Sequence, residues 1–256
     1  MTALPFDPAP GARRLARAWQ DGGQIASLPQ AERPDGLPEA YRMQRRLGSE
    51  LGEPVRGYKL GMSSPAAMER SGLGQPLIGF MPTSRLLGSG ATLRVPGTAP
   101  LLIEVEVALV LDAGTAPEAP VPGAACLAIE VVRSRFADRG AVGMPSFVAD
   151  AAGFHAAVLG DPIPIDAVAA LLRAGGSLVH DGRTVASATT GRDCPDPFAA
   201  LRRLAALAPV YGLALAPGMV VATGNIVTTF ETSLPGVFEG RLGDAMVRIT
   251  IESIPE

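Results

Sequence analysis

The 256-residue chain is poor in several residue types, and each shortage excludes a class of protein. Its two cysteines, Cys126 and Cys194, are too few for a disulfide framework or for a zinc site made of cysteines. No run approaches the roughly 18 apolar residues that a membrane-spanning helix needs. The formal net charge of −3 comes without a basic stripe. We therefore expect neither a nucleic-acid partner nor a membrane partner.

The sequence also lacks the pattern of a signal peptide at residues 1–7 and has few charged residues. Residues 1–7 have no basic segment followed by an apolar one, so no secretory signal is expected and the cytoplasm is the expected location. Charged residues make up 18% of the chain, below the roughly one quarter that is typical of soluble proteins. A surface with so few charges predicts that other subunits cover part of it.

Lysine is almost absent, because Lys59 is the only lysine among 22 basic residues. Arginine stays protonated, whereas a desolvated lysine changes its pKa readily and can transfer a proton. A codon bias toward arginine explains most of the imbalance, and drift can leave a single lysine anywhere. The count alone therefore only directs attention to Lys59.

Periodicity and turn residues predict a helical start and a strand-rich remainder. We expect helices over residues 12–20, 38–51 and 198–207, and a short helix that Ser64 caps and Gly72 ends. Expected strands cover residues 55–61, 103–111, 125–132, 219–223 and 245–251, with a hairpin around Asp181-Gly182. Strands without regular intervening helices favour a β-rich α+β core over a doubly wound parallel sheet. The expected division is a helical portion, 1–54, and a β-rich domain, 55–256.

Three glutamates interrupt the two most apolar predicted strands. Because alternate side chains of a strand share a face, Glu104 and Glu106 lie together, opposite an apolar face that begins at Ile103. Glu130 stands alone among aliphatic residues, where an unpaired charge is costly. A hard divalent cation such as Mg²⁺ or Mn²⁺ would satisfy all three carboxylates.

Ordinary explanations exist for each acid separately. A Glu-x-Glu pair in a strand is common and usually belongs to a solvated face. Glu130 by itself has two nearby candidates for a salt bridge, Arg133 and Arg135. The combination of apolar flanks with a single lysine is what favours a metal site.

Several segments together resemble a known enzyme family. They are residues 57–61 (GYKLG), 103–111 (IEVEVALVL) and 129–136 (IEVVRSRF), joined in the same order by 15–19, 23–25, 40–44, 149–150 and 217–224. The set resembles the 2-keto-4-pentenoate hydratase / 2-oxohepta-3-ene-1,7-dioate hydratase / 4-oxalocrotonate decarboxylase family of the fumarylacetoacetase superfamily. The resemblance covers nearly the whole chain.

The resemblance implies a fumarylacetoacetase-like mixed-sheet fold and a lyase that acts on a small 2-keto acid from aromatic ring cleavage. It implies Mg²⁺ or Mn²⁺ as the cofactor and a homo-oligomer, or a complex with a partner hydratase or decarboxylase. The residues that match the family's site are the metal ligands Glu104, Glu106 and Glu130, the catalytic residues Lys59, Ser134, Arg135 and Asp150, and the substrate-binding residues Thr223 and Gly224.

The chain also departs from the family pattern. Leu77 follows Gln75-Pro76 where family hydratases often have an acid, and Ala151-Ala152-Gly153 replaces residues that are polar in many members. Water addition, loss of CO₂ and a non-catalytic keto-acid-binding homologue therefore stay open as alternatives.

A hydrolase of the same superfamily is a further rival, and it would need a histidine to activate water. His180 lies in the expected hairpin and is expected to be a surface turn residue, whereas His155 follows Phe154 in an apolar segment and is expected to pack in the core. No histidine precedes His155, which argues against the hydrolase. Arg133, Arg135 and Arg192 are candidate anchors for the distal end of a substrate.

Overall fold

The computed structural model describes residues 6–97 and 99–255. Each longer helix begins near a proline and ends at a left-handed glycine, as Gly22, Gly52 and Gly212 show. Within the described residues, no helix is long and apolar enough to cross a membrane. The helices are α1 (Ala9–Asp21), α2 (Leu37–Leu51), α3 (Pro65–Ser71), α4 (Met144–Ala149), α5 (Val168–Ala174) and α6 (Pro197–Tyr211).

Two mixed sheets form the centre of the molecule. The strands are β1 (Val55–Gly61), β2 (Leu77–Pro82), β3 (Leu86–Gly88), β4 (Ala91–Pro96), β5 (Leu101–Leu111), β6 (Pro122–Val132), β7 (Phe154–Ile163), β8 (Gly176–His180), β9 (Arg183–Ser187), β10 (Val220–Asn225), β11 (Phe230–Thr232), β12 (Gly236–Leu242) and β13 (Ala245–Ile254). The larger sheet has the order β2-β1-β10-β5-β6-β7-β3, and β11 pairs with β5. The smaller sheet has the order β4-β13-β12-β8-β9.

The long antiparallel pair β5–β6 lies in the middle of the larger sheet. One face of β5 is apolar and fully buried, with Ile103, Val105 and Val107 each 0% exposed. Glycines let the smaller sheet approach closely: a Cβ on Gly240 would lie 3.2 Å from a Val105 methyl group and 3.3 Å from an Ile129 carbon. The smaller sheet therefore covers the apolar face of this strand pair.

Helices α1 and α2 pack against each other, and α2 also reaches β2 and α4. Tyr41 and Gln44 of α2 hold the backbone of Ile78 from both sides. The Ile78 amide donates to the Tyr41 hydroxyl at 3.0 Å, and the Gln44 amide donates to the Ile78 carbonyl at 2.8 Å and to the Val148 carbonyl at 2.6 Å. These bonds join the edge strand β2 to α4.

The expected fold class is confirmed, and most of the expected elements are present. The hairpin turns at Asp181 and Gly182, both with positive φ, which matches the twist of a two-residue connection. The sequence patterns missed β2, β3, β4, β7, β11 and β12 as well as α4 and α5. A division near residue 54 stays a prediction.

The expectation for His180 was wrong. The residue ends β8, and its ring stacks on Phe238 with centroids 4.2 Å apart, so only 11% of the side chain is exposed. The turn itself begins at the next residue. His155 is buried, as expected, in β7.

Gly57 in β1 provides a test of the tight pairing that positions the site. A Cβ at this residue would lie 2.0 Å from the Val220 carbonyl oxygen of β10. We expect Gly57→Ala to lower the free energy of unfolding by about 1–3 kcal/mol, because overpacking displaces backbone. Gly88→Ala in β3 is the control, since nothing lies within 4 Å of its Cβ position. Equal denaturant midpoints for the two variants would contradict the expectation.

Candidate active site

The β5–β6 register brings the three glutamates together. Glu104 and Glu130 are directly opposite each other across the antiparallel pair, and Glu106 is two residues further along the same face of β5. Each offers one carboxylate oxygen within 4.8 Å of the others. Glu106 and Glu130 are buried, whereas Glu104 is partly exposed to an adjoining cavity.

Lys59 reaches this cluster from β1. Its register partners are Ala222 of β10 and, through it, Ala108 of β5, so only small side chains occupy the sheet face between the lysine and the acids. The Lys59 Nζ lies 3.1 Å from a carboxylate oxygen of Glu130. The buried partner of Glu130 is therefore this lysine rather than one of the arginines that follow it in sequence.

A backbone amide fixes the orientation of Glu106. The Gly224 N–H donates to Glu106 Oε2 at 2.8 Å. The register of β10 against β5 shifts between Ala222 and Asn225, and this irregularity directs the amide at the carboxylate. Gly224 has a φ of +112°, and a Cβ there would lie 1.9 Å from Ser63 Oγ, so the position requires glycine.

Thr223 is fully buried, and its polar groups are used within the protein. Its hydroxyl donates to the Val107 carbonyl at 2.6 Å, and its carbonyl accepts a hydrogen bond from Ser63 at 2.6 Å. Gly224 thus lies beside the glutamate cluster, and Ser63, which lines the cavity, contacts the backbone of Thr223. Direct contact of either residue with a substrate stays a prediction.

Ionisation of the metal-free cluster is held back by burial. Burial, with repulsion from Glu130, raises the pKa of Glu104 to about 7, and Lys59 and Arg139 partly oppose the shift. The same two causes raise the pKa of Glu106 well above its usual range. Burial opposes the charge on Lys59, but attraction to Glu130, Glu104 and Glu106 outweighs it and raises the pKa of the lysine. Lys59 is therefore a protonated ammonium, and its single positive charge is too little to keep all three neighbouring glutamates ionised.

The residues of the cluster fit a divalent cation. Glu106 Oε1 and Glu130 Oε2 are buried and accept no hydrogen bond from any part of the chain that the structure describes. Buried carboxylate oxygens are expensive to leave without a partner. Three carboxylates form the all-oxygen donor set that Mg²⁺ and Mn²⁺ prefer, and one lysine does not balance three charges.

A cavity of about 830 Å³ opens at the cluster. Lys59 and Glu104 line it, as do Ser63 and Asn225. Its apolar wall includes Met62, Leu77, Met144, Phe147, Ala152 and Val227. The cavity is large enough for a small organic acid with one end at the carboxylates.

The remaining predicted catalytic residues form a separate buried cluster. The Arg135 guanidinium is paired with the Asp150 carboxylate and donates to the carbonyls of Asp150 and Phe154, both at 2.6 Å. The Ser134 hydroxyl and the Arg135 amide both donate to Asp150 at 2.8 Å. The guanidinium also lies 4.1 Å from the centre of the Trp19 ring.

Ser134, Arg135 and Asp150 do not line the cavity that the structure describes. Their bonds tie the end of β6 to the C-terminal end of α4, and the cavity wall includes Phe147 of α4 and Ala152 of the turn after it. Their contacts indicate a positioning role, and the catalytic role inferred from sequence stays a prediction. The candidate anchors Arg133 and Arg192 do not line the described cavity either.

Both departures from the family pattern face the cavity. Leu77 and Ala152 line it with apolar side chains. Ala151 and Ala152 have φ values of 51° and 50°, which are uncommon for residues other than glycine. Strained backbone of this kind tends to occur beside functional sites.

Sequence reasoning missed several residues that shape the site. A Cβ on Gly79 would lie 2.1 Å from the Ala151 carbonyl oxygen and 3.1 Å from Lys59 Cε, so this glycine makes room for the lysine chain. A glycine inside the apolar run of residues 77–81 was a usable signal, because glycine in a strand often marks a close approach. Arg70 and Arg139 also line the cavity, and no local pattern indicated either.

Known proteins are similar to the chain in part of its sequence and in its fold. No family model matches the chain. Two curated relatives, both named 2-keto-4-pentenoate hydratase, are similar to part of it: the one from Paraburkholderia phymatum is 34% identical over 137 residues, and the one from Burkholderia vietnamiensis is 32% identical over 138. Each match covers 50% of this chain and 52% of the relative, so the chain spans about half the length of the curated relatives it matches.

Solved structures show the fold over a longer range. A 4-oxalocrotonate decarboxylase from Pseudomonas putida G7, complexed with magnesium and adipate, superposes with a TM-score of 0.80 at 20% identity, over 96% of this chain and 97% of that one. A putative fumarylacetoacetate hydrolase family protein from Yersinia pestis CO92 has a TM-score of 0.54 at 16% identity, over 78% of this chain and 94% of the other.

The fold and the cluster define a protein of fumarylacetoacetase-like fold with an acidic site that suits a divalent cation. Within that class, the chain resembles the 2-keto-4-pentenoate hydratases in sequence and the 4-oxalocrotonate decarboxylase in fold. The resemblance inferred from sequence motifs is confirmed.

The raised pKa of Glu104 predicts how stability depends on pH. The unfolded chain ionises this group near 4.5 and the folded chain near 7, so the folded state binds more protons between these values. We expect the metal-free protein to lose stability as the pH rises through this window and Mg²⁺ to restore it at the upper end. Denaturant midpoints in EDTA and in Mg²⁺ would measure both effects.

Glu104→Gln is the matched variant for this measurement. It should flatten the pH dependence in the window and lose most of the stabilisation by Mg²⁺, because one ligand and one charge are gone. Metal-free stability that increases with pH in the wild type would contradict the account of the cluster.

Proposed function

We propose that the protein is a divalent-metal-dependent lyase that adds water to a 2-hydroxy-2,4-dienoic acid, as a 2-keto-4-pentenoate hydratase does. The observation that carries the proposal is the meeting of three glutamates and a buried lysine ammonium at one end of a cavity. The sequence similarity to curated hydratases supports it.

Glu104, Glu106 and Glu130 would hold the ion, with Gly224 fixing Glu106 through its amide. When bound, the ion supplies Lewis acidity toward the 2-oxo group of a keto acid. Burial of the carboxylates keeps competing water away from two of the three ligands. The partly exposed Glu104 marks the side from which a substrate enters.

Lys59 would supply the proton chemistry. Its ammonium lies at the cavity wall beside Glu130. Lys59 is also the only lysine in the sequence. In the proposed reaction it stabilises negative charge that develops on the 2-oxygen and transfers a proton during conversion of the dienol to the conjugated ketone. Water then adds to the far carbon of the conjugated double bond.

Decarboxylation of 4-oxalocrotonate is the second candidate, and the cavity wall favours it in one respect. Leu77 and Ala152 present apolar side chains, and the carboxylates in the described lining are Glu104 and Asp193. Glu104 is a proposed metal ligand, and Asp193 is paired with Arg70 at 2.8 Å. Neither acid is therefore free to activate water. Loss of CO₂ needs a group that accepts the electron pair of the broken C–C bond and a proton donor, but it needs no attacking water.

An assay of the purified protein with Mg²⁺ or Mn²⁺ separates the candidates. Consumption of 2-hydroxypenta-2,4-dienoate, with water incorporated into the product, supports the hydratase. Release of CO₂ from 4-oxalocrotonate supports the decarboxylase. Binding of these acids without turnover of either one would instead make the protein a non-catalytic keto-acid-binding homologue.

Lys59→Arg tests the proposed role of the lysine. Arginine retains the charge but does not release its proton, so we expect kcat to decrease about a hundredfold or more. Metal affinity, measured by titration calorimetry, should stay close to that of the wild type because the carboxylates are intact. A Lys59→Arg enzyme with full kcat would reject proton transfer by this residue.

We also propose a role in the catabolism of aromatic ring-cleavage products, a cytoplasmic location and a homo-oligomeric state. The low content of charged residues supports self-association. Sedimentation of the purified protein over a range of concentrations would measure the oligomeric state directly.

A further inference from the structure

Helix α6 is apolar on almost every side, yet one of its faces is exposed. Of its 15 residues, only Arg202 and Arg203 are charged. A helix that is apolar all round is normally buried on all sides. Here Ala206, Pro209 and Val210 are exposed, and Val210 is 69% exposed. The residues that the structure describes therefore leave this face of the helix uncovered.

A groove of about 480 Å³ lies beside the exposed face of α6. Phe198 and Leu201 of the helix line it, together with Pro120 and Pro122 at the start of β6. Ala206 lines the groove and also belongs to the exposed face. The groove and the face therefore form one apolar surface, at a place separate from the cavity that contains the glutamates.

The loop before β6 is held in a defined conformation. The Asp112 amide donates to the Val121 carbonyl at 2.7 Å. The Thr115 hydroxyl accepts a hydrogen bond from the Val121 amide and donates to the Val121 carbonyl, both at 3.2 Å. Thr115 is buried, whereas Val121 is 49% exposed. The loop thus presents an apolar side chain from ordered backbone, so little conformational entropy would be lost if it docked against another molecule.

Two opposite charges line the groove, and neither is used within the described chain. Glu118 and Arg202 are both exposed, and neither forms an ion pair or a side-chain hydrogen bond with any residue that the structure describes. A two-fold contact places a surface against the same surface of its partner, so each residue of a contacting pair occurs on both copies. Glu118 of either copy could then meet Arg202 of the other. A surface with one unpaired charge of each sign is complementary to itself.

We propose that the groove and the exposed face of α6 form an interface between two copies of this chain that are related by a two-fold axis. Val121 and Val210 supply apolar contact, and the two pairs of Glu118 with Arg202 fix how the copies are aligned. A second copy is favoured over an unrelated partner because the surface carries both members of the ion pair. The inference rests on the homo-oligomeric state proposed above and is independent of the proposed reaction.

Charge reversal tests the pairing of Glu118 with Arg202. Either Glu118→Arg or Arg202→Glu places like charges opposite each other twice in a two-fold contact, so each should raise the dissociation constant about tenfold or more. The double variant Glu118→Arg/Arg202→Glu restores opposite charges and should return the constant to within about threefold of the wild type. Sedimentation velocity over a range of protein concentrations measures the constant. In a larger assembly, loss of the contact should appear as a smaller species.

Val210→Asp tests the apolar part of the interface. It buries a charge without a partner in the contact, so it should also raise the dissociation constant about tenfold or more. Leu234→Asp is the matched control. Leu234 is 65% exposed, lies between β11 and β12 and does not line the groove, so this variant should associate like the wild type. Thermal unfolding of each variant checks that the fold is intact.

The possible outcomes are distinct. A wild type that stays monomeric at every concentration overturns both the inference and the proposed homo-oligomer, and it would leave this face for a different protein. A wild-type oligomer that neither the single charge reversals nor Val210→Asp weakens overturns the inference alone. So does a double variant that associates as weakly as the single reversals, because the two charges would then not pair with each other. Equal weakening by Leu234→Asp and Val210→Asp would also overturn it.

Discussion

The register between β5 and β6 is the constraint on which the site depends. It sets Glu104 opposite Glu130 and leaves Glu106 on the same face, so that three carboxylates meet in a largely buried place. Such a cluster is unfavourable without compensating positive charge. The apolar packing on the other face of β5 holds the register, because a slip of one residue would turn every glutamate into the core.

The surrounding elements either balance that charge or aim the groups that hold it. Lys59 reaches Glu130 across small side chains, and Gly79 leaves space for its alkyl chain. Gly224 directs an amide at Glu106 from an irregular strand end. Each depends on a close backbone approach, which explains why glycine and alanine are placed around a charged site.

A second buried charge cluster supports the cavity from behind. Arg135 and Asp150 are buried and make hydrogen bonds to each other and to nearby backbone. Removing one partner of such a buried pair leaves an uncompensated charge, so these residues are expected to be intolerant of substitution even without touching a substrate. Family resemblance in sequence therefore does not by itself separate residues that react from residues that position.

The sequence by itself determined the central strands β5 and β6, the fold class and the three acids, because alternation in an apolar strand assigns side chains to faces without reference to the rest of the chain. It also singled out Lys59 by composition and, through ordered motifs, the resemblance to keto-acid lyases. Only the tertiary structure decided that Lys59 pairs with Glu130, that Arg135 turns away from the cavity and that Arg139 turns toward it. Those outcomes depend on contacts between segments far apart in the chain, and periodicity carries no information about which distant segments meet.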